Sequence, residues 1–192
     1  AERVRAYREL AGSAGTCCVV VQLLVNSRAA GVMFTANPLT GSCDEFVITA
    51  NWGIGESVVA DMTTPDTLIV GAARGDIIST TIASKKVMVA LVQDEESAGS
   101  AKATKSTRSK TEINEQAAIF RLARAQAMPV LPSMQDTLCL TNDAIQQLWR
   151  LGKKVHKYYG EKPQDIEWAV DQGGKVMLLQ ARPVTTLGNH SD

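Results

Sequence analysis

The sequence has 192 residues, 45% of them hydrophobic, and its 20 basic side chains balance 20 acidic ones. That length holds one large domain or two small ones, and that apolar share is enough to build a core. The charge balance gives no global pull toward nucleic acid or anionic membrane, and no apolar run reaches the roughly 18 to 20 residues a spanning helix needs.

The opening AERVRAYREL is charged and reads as a short helix over residues 1–11, not as a signal peptide. It has no initiator Met, which fits a fragment or a processed chain. CCVVVQLLV, Cys17–Val25, is a continuous apolar run rich in β-branched residues, the pattern of a buried strand. A glutamine inside such a strand must find partners, because an unpaired buried amide costs about 1–3 kcal/mol. Gln22 therefore bonds either neighbouring backbone or a ligand. NSRAAG reads as a turn, VMFTA (Val32–Ala36) as the return strand, and ANPLTG as a loop.

Glu45–Ala50 reads as a third strand, and NWGIG leads into ESVVAD, a short helix. Gly53 and Gly55 permit close backbone approach, while Glu56 suits a helix start. A lone G-x-G is equally a tight turn, so this stretch reads as support for a site. Thr67–Val70 and Asp76–Ala83 are expected as strands around the turn GAARG, and Lys85–Val92 as another. The pattern breaks at Gln93. QDEESAGSAKATKSTRSKTE is small, polar and charged, and reads as a solvated loop. Its cations Lys102, Lys105, Arg108 and Lys110 have no interleaved aromatics of the kind a nucleic-acid surface carries. Residues 114–127 are expected to add a helix before PVLP.

TNDAIQQLWRLGKKVHKYYG repeats Ile145, Leu148, Trp149, Val155 and Tyr159 at helical spacing, with Thr141 or Asn142 as its cap. His156 in this helix and His190 in the polar tail read as surface residues. Cys17, Cys18, Cys43 and Cys139 form neither a C-x-x-C pattern nor a disulfide framework. They read as reduced thiols, three of them buried, in an intracellular, cytoplasmic protein. The whole is α+β, mostly antiparallel sheet with a few packed helices and no internal repeat.

The last ordered stretch, PQDIEWAVDQGGKVMLLQARP, is a hairpin. A turn at Gly173 and Gly174 sets Glu167 opposite Gln180 and Asp165 opposite Arg182. One face then carries Ile166, Trp168, Val170, Met177, Leu179 and Ala181. The other carries Asp165, Glu167, Gln180 and Arg182. A carboxylate, an amide oxygen and a guanidinium together suit a hard cation bound to a polyphosphate. Geometry alone favours the plainer reading, an amphipathic hairpin whose polar face meets water, with a cross-strand Asp–Arg pair.

DIEWA followed by LLQARP resembles the end of the ATP-grasp nucleotide-binding domain of phosphoenolpyruvate synthase, pyruvate phosphate dikinase and the rifampin phosphotransferases. VVVQLLV, AGVMFTANPLTG, NWGIGESVV and TPDTLIV follow in that family's order, and CLTNDAIQQLWRLGKKVHKYYG is similar to its helix before the final hairpin. The resemblance covers residues 1–92 and 137–186. It implies the C-terminal ATP-grasp subdomain over residues 1–186, with a flexible or inserted segment at 93–136 and a tail at 187–192.

It further implies Glu167 and Gln180 as ligands of Mg²⁺ between the ATP phosphates, and Arg182 on the β and γ phosphates as the catalytic cation. Gln22 and the backbone of Leu23, Leu24 and Val25 are implied at the adenine. The family's other lobe, which brings a Lys and an Arg, and its swivelling phosphohistidine domain have no counterpart in these residues. The implied activity is ATP-dependent phosphorylation of that histidine, with pyruvate as acceptor, or an antibiotic hydroxyl as the alternative. The chain alone is expected to be inactive. A non-catalytic nucleotide- or partner-binding module and an ATP-grasp carboxylate ligase are the competing readings.

Overall fold

The structure, a computed structural model, describes residues 20–59, 62–93 and 123–184. Six strands form one antiparallel sheet: β1 (Ser27–Phe34), β2 (Glu45–Trp52), β3 (Asp66–Gly71), β4 (Ile77–Thr81), β7 (Gln164–Asp171) and β8 (Val176–Pro183). Their order across the sheet is β4-β3-β2-β1-β7-β8. β5 (Val87–Gln93) and β6 (Ala123–Pro129) make a separate two-stranded ribbon, joined to the sheet by a bridge between Gly53 and Val89. The helices are α1 (Glu56–Val59), α2 (Pro132–Gln135) and α3 (Asn142–Tyr158). No described helix is long and apolar enough to cross a membrane.

The α+β expectation holds. α3 starts at Thr141, whose side chain accepts from the Ala144 amide. It lays Ile145, Leu148 and Val155 on the sheet, against Met33, Phe46, Ile48, Leu68, Ile166 and Trp168. The helix sits close because Gly152 faces Phe46 and Met33: an added Cβ there would lie 2.9 and 3.0 Å from their side chains. Strand alternation sends these residues to the helix side and their neighbours to the other face.

Three local expectations need correction. Val20–Asn26 are not strand; Gln22, Leu23 and Leu24 are exposed and Val25 is half-buried. The run has strand-forming residues but pairs with no described strand, and β-propensity expresses only against a neighbour. Cys17–Val19, like the expected helix at 1–11, lie outside the described residues.

SRAAG is not a turn but the first half of β1, flanked by β2 and β7. Its glycine serves close approach, since a Cβ on Gly31 would stand 1.8 Å from the Thr49 carbonyl oxygen. Gly31→Ala is therefore expected to destabilise the domain by about 3 kcal/mol or more. The midpoint of urea unfolding measures it, and a change within experimental error would show that the sheet can spread there.

Residues 123–127, expected as helix, are strand in β6. Here Ala125 and Ala127 pair with Leu91 and Val89, so tertiary pairing overrides the helical preference of alanine. Residues 94–122, with Lys102, Lys105, Arg108 and Lys110, lie outside the described residues, as do His190 and the tail.

Beneath β3 lies a buried ion pair that the sequence did not signal. Lys85 Nζ donates to Asp66 Oδ1 at 2.6 Å, and both side chains are fully buried. The same oxygen accepts from the Ala83 amide, and Oδ2 accepts from the Cys139 amide. Asp66 so ties β3 to the chain before β5 and to the approach of α3. Burial pushes the Cys139 thiol pKa up, and the Asp66 charge adds to it. Cys43 is exposed and Cys139 buried, both free, while Cys17 and Cys18 lie outside the described residues.

Candidate functional site

The face of the sheet opposite α3 carries the polar end of the hairpin. The register pairs Glu167 with Gln180 and Asp165 with Arg182 as expected, although the turn itself differs. Val170 faces Val176 and the Asp171 amide donates to the Lys175 carbonyl, so the turn holds Gln172–Gly174 and not the two glycines alone. Between Glu167 and Trp168 the ladder slips by one: Trp168 faces Leu178, leaving Leu179 as an extra residue in β8. The apolar face expected from strict alternation is corrected accordingly. Val176 and Ala181 pack on the core, Leu178 and Leu179 line a cavity beside α3 with Gln180 at its border, and Met177, opposite Ala169, loses the place assigned to it.

Following the pairs across the sheet gives two transverse rows on this face. One runs Gln180, Glu167, Val32, Thr49, Thr67, Thr81. The next runs Arg182, Asp165, Phe34, Val47, Ile69, Ser79. Val32, Phe34, Val47, Thr49, Thr67 and Ile69 are half-buried, so the face stays partly open. α1 closes one end, where a Cβ on Gly55 would sit 3.7 Å from that of Ala30. There Asn51 Nδ2 donates to Ser57 Oγ and to the Val87 carbonyl, fixing the NWGIG turn. Glu56 is exposed at the start of α1 and makes no hydrogen bond to a described residue.

Glu167 is half-buried and Gln180 exposed on directly paired positions. Arg182 donates to Asp165 Oδ2 through Nε at 2.8 Å and Nη2 at 2.7 Å. Asp165 Oδ1 is buried with no hydrogen-bond donor near it. Sequence reasoning saw this carboxylate only as the partner of a surface pair, yet it orients the guanidinium. The signal was there: Asp165 stands opposite Arg182, one alternation step from Glu167.

The carboxylate of Glu167 and the amide oxygen of Gln180 are the kinds of ligand a hard cation takes. Among the described residues no three His, Cys, Asp or Glu gather to hold a metal by themselves. A cation held here would need phosphate and water to complete its shell. Gln22 through Val25 lie just before β1 and belong to no ladder among the described residues. His156 is half-buried rather than a free surface residue, with Nδ1 3.2 Å from Thr35 Oγ1.

An α+β sheet with this polar row defines a candidate phosphate-binding domain of the nucleotide-binding class. The profile of the pyruvate phosphate dikinase AMP/ATP-binding domain matches residues 1–192, and the chain belongs to that family. It is 39% identical over 168 residues to a probable phosphoenolpyruvate synthase of Methanocaldococcus jannaschii, covering 88% of this chain and 12% of that protein. It is 37% identical over 169 residues to the phosphoenolpyruvate synthase of Pyrococcus furiosus, covering 88% and 18%. It is 36% identical over 169 residues to a rifampicin phosphotransferase of a Streptomyces species, covering 88% and 16%. The chain thus spans less than a fifth of the length of these relatives. Family membership carries the ATP expectation.

Proposed function

We propose that this chain is the C-terminal subdomain of an ATP-grasp domain whose sheet face holds Mg-ATP. The observation that carries this is the register, which sets Glu167 and Gln180 side by side with Arg182 one alternation step away. Directly opposed side chains have Cβ atoms roughly 4.5–5.5 Å apart, within reach of one cation. When bound, Mg²⁺ neutralises phosphate charge and fixes its geometry. Glu167 and Gln180 supply the oxygens. Arg182, steadied by Asp165, presents its planar fork to the β and γ phosphates. Gln22 and the backbone of Leu23, Leu24 and Val25 take the adenine, and their exposure leaves them accessible.

In the longer protein, an N-terminal subdomain brings a Lys and an Arg to the phosphates. A histidine on a swivelling domain takes up the β-phosphate of ATP, leaving AMP and inorganic phosphate, and passes it to pyruvate in the cytoplasm. An antibiotic hydroxyl as acceptor is the second reading, favoured by the rifampicin phosphotransferase relative at nearly the same identity.

Phosphoryl transfer is mostly positioning plus charge neutralisation. This face has oxygens for a metal, while the completing cations belong to the other subdomain. The isolated chain is therefore expected to bind Mg-ATP only in the millimolar range, about −4 kcal/mol, and to release no AMP. Amide NMR during ATP titration, with and without Mg²⁺, tests this. Mg-dependent shifts should centre on Glu167 and Gln180; their absence there, or turnover by the chain alone, would overturn the assignment.

A further inference from the structure

β8 ends the six-stranded sheet, so its outer backbone groups meet no described strand. Beside this edge, on the α3 side of the sheet, lies a cavity of about 510 Å³. Leu151, Lys154, Val155 and Tyr158 line it from α3, with Leu178 and Ala181 from β8. Tyr158 is 83% and Leu178 48% exposed, which leaves large apolar groups uncovered at its mouth.

The rim is basic. Arg150, Lys153, Lys154 and Lys157 are exposed and form no ion pair with a described residue. Helical spacing puts Arg150, Lys154 and Lys157 on a stripe adjoining Leu151 and Tyr158. From Arg150 to Lys162 there are five Lys and Arg against one acid, Glu161, in a chain whose net charge is zero.

We propose that this edge docks an extended segment of a partner protein, apolar at alternate positions and acidic at its ends, added as a strand beside β8. Strand addition gives the outward backbone groups of Met177–Ala181 a partner strand, alternate side chains enter the cavity, and flanking carboxylates meet the cationic rim. A second copy of this chain fits less well. Two-fold pairing of β8 with itself would bring the same cations face to face, which like-charge repulsion opposes. A lipid surface would answer the charge and the leucines but leave the strand edge unmatched.

The probe is a capped nonapeptide with leucines at three alternate central positions, threonines between them and a glutamate pair at each end. It should bind the chain, weaken with salt, and slow amide exchange along Met177–Arg182. The same peptide ending in lysine pairs should bind at least about tenfold more weakly. Lys154→Glu, at an exposed site, leaves three cations against one carboxylate, so it should narrow that preference by weakening the acidic peptide and strengthening the lysine-ended one. Tyr158→Ala should weaken both peptides. Strengthened binding of the lysine-ended peptide is a readout that mere loss of folding cannot produce.

Equal binding of the two peptides, no binding, or slowed exchange away from β8 would overturn the proposal. Concentration-dependent dimers abolished by Leu178→Glu would identify a second copy as the occupant instead. Tighter binding to phosphatidylserine vesicles than to the acidic peptide would identify a membrane.

Discussion

Replacing Glu167 and Gln180 together by alanine is expected to abolish the Mg²⁺-dependent part of ATP binding. Outer-shell partners of a metal already contribute 10- to 100-fold in affinity, so losing two direct oxygens should cost at least about a hundredfold. Folding should be almost unaffected, within about 0.5 kcal/mol, because Glu167 is half-buried, Gln180 exposed and neither holds a core contact. Glu167→Gln isolates charge from shape and should lose most of the metal response by itself. The readout is the difference between ATP titrations with Mg²⁺ and with EDTA. An undiminished Mg²⁺ response in the double variant would move the cation off this face. The hairpin would then be a solvent-facing surface carrying an Asp165–Arg182 pair and nothing more.

Lys85→Met is expected to be the most damaging single substitution to stability. It leaves the Asp66 carboxylate buried without its ammonium partner, though still accepting from the Ala83 and Cys139 amides. Removing one member of a buried pair costs about 3–5 kcal/mol. Adding Asp66→Asn removes the stranded charge and should recover part of the loss, a coupling read from a double-mutant cycle in urea. A Lys85→Met variant within about 1 kcal/mol of the parent would mean that the two backbone amides alone satisfy Asp66. The pair clamps three stretches behind the sheet, and none of its members reaches the opposite face. It should alter nucleotide binding only through folding.

The sequence showed much of this wherever side-chain period and face coincide. Glu45–Trp52, Asp66–Gly71 and Asn142–Tyr158 each carry an uninterrupted pattern, and the structure has them as two strands and a helix. The pairing of Glu167 with Gln180 came out as expected through two offsetting departures: the turn takes in Gln172 as well as the two glycines, and the slip at Leu179 restores the partner. Failures came where a residue's reason lies across the chain. Gly31 looks like turn chemistry until the Thr49 carbonyl stands against it. The run before β1 looks like core, yet no described strand pairs with it. The transverse rows join strands distant in sequence, and the Asp66–Lys85 pair spans 19 positions with no local periodicity to mark it.

The extra residue at Leu179 separates two phases of one strand. Turnward of it, Val176 and Leu178 follow the helix; beyond it, Gln180 and Arg182 follow the opposite face. A regular strand would have to choose which set of side chains to send inward. With the slip in place, the tip of the hairpin keeps one phase while its distal half is held in the other, with β7 anchored by β1 and by the Thr35 bonds to Gln164. Gln172–Gly174 are thereby set apart in phase from the proposed site at Glu167 and Gln180.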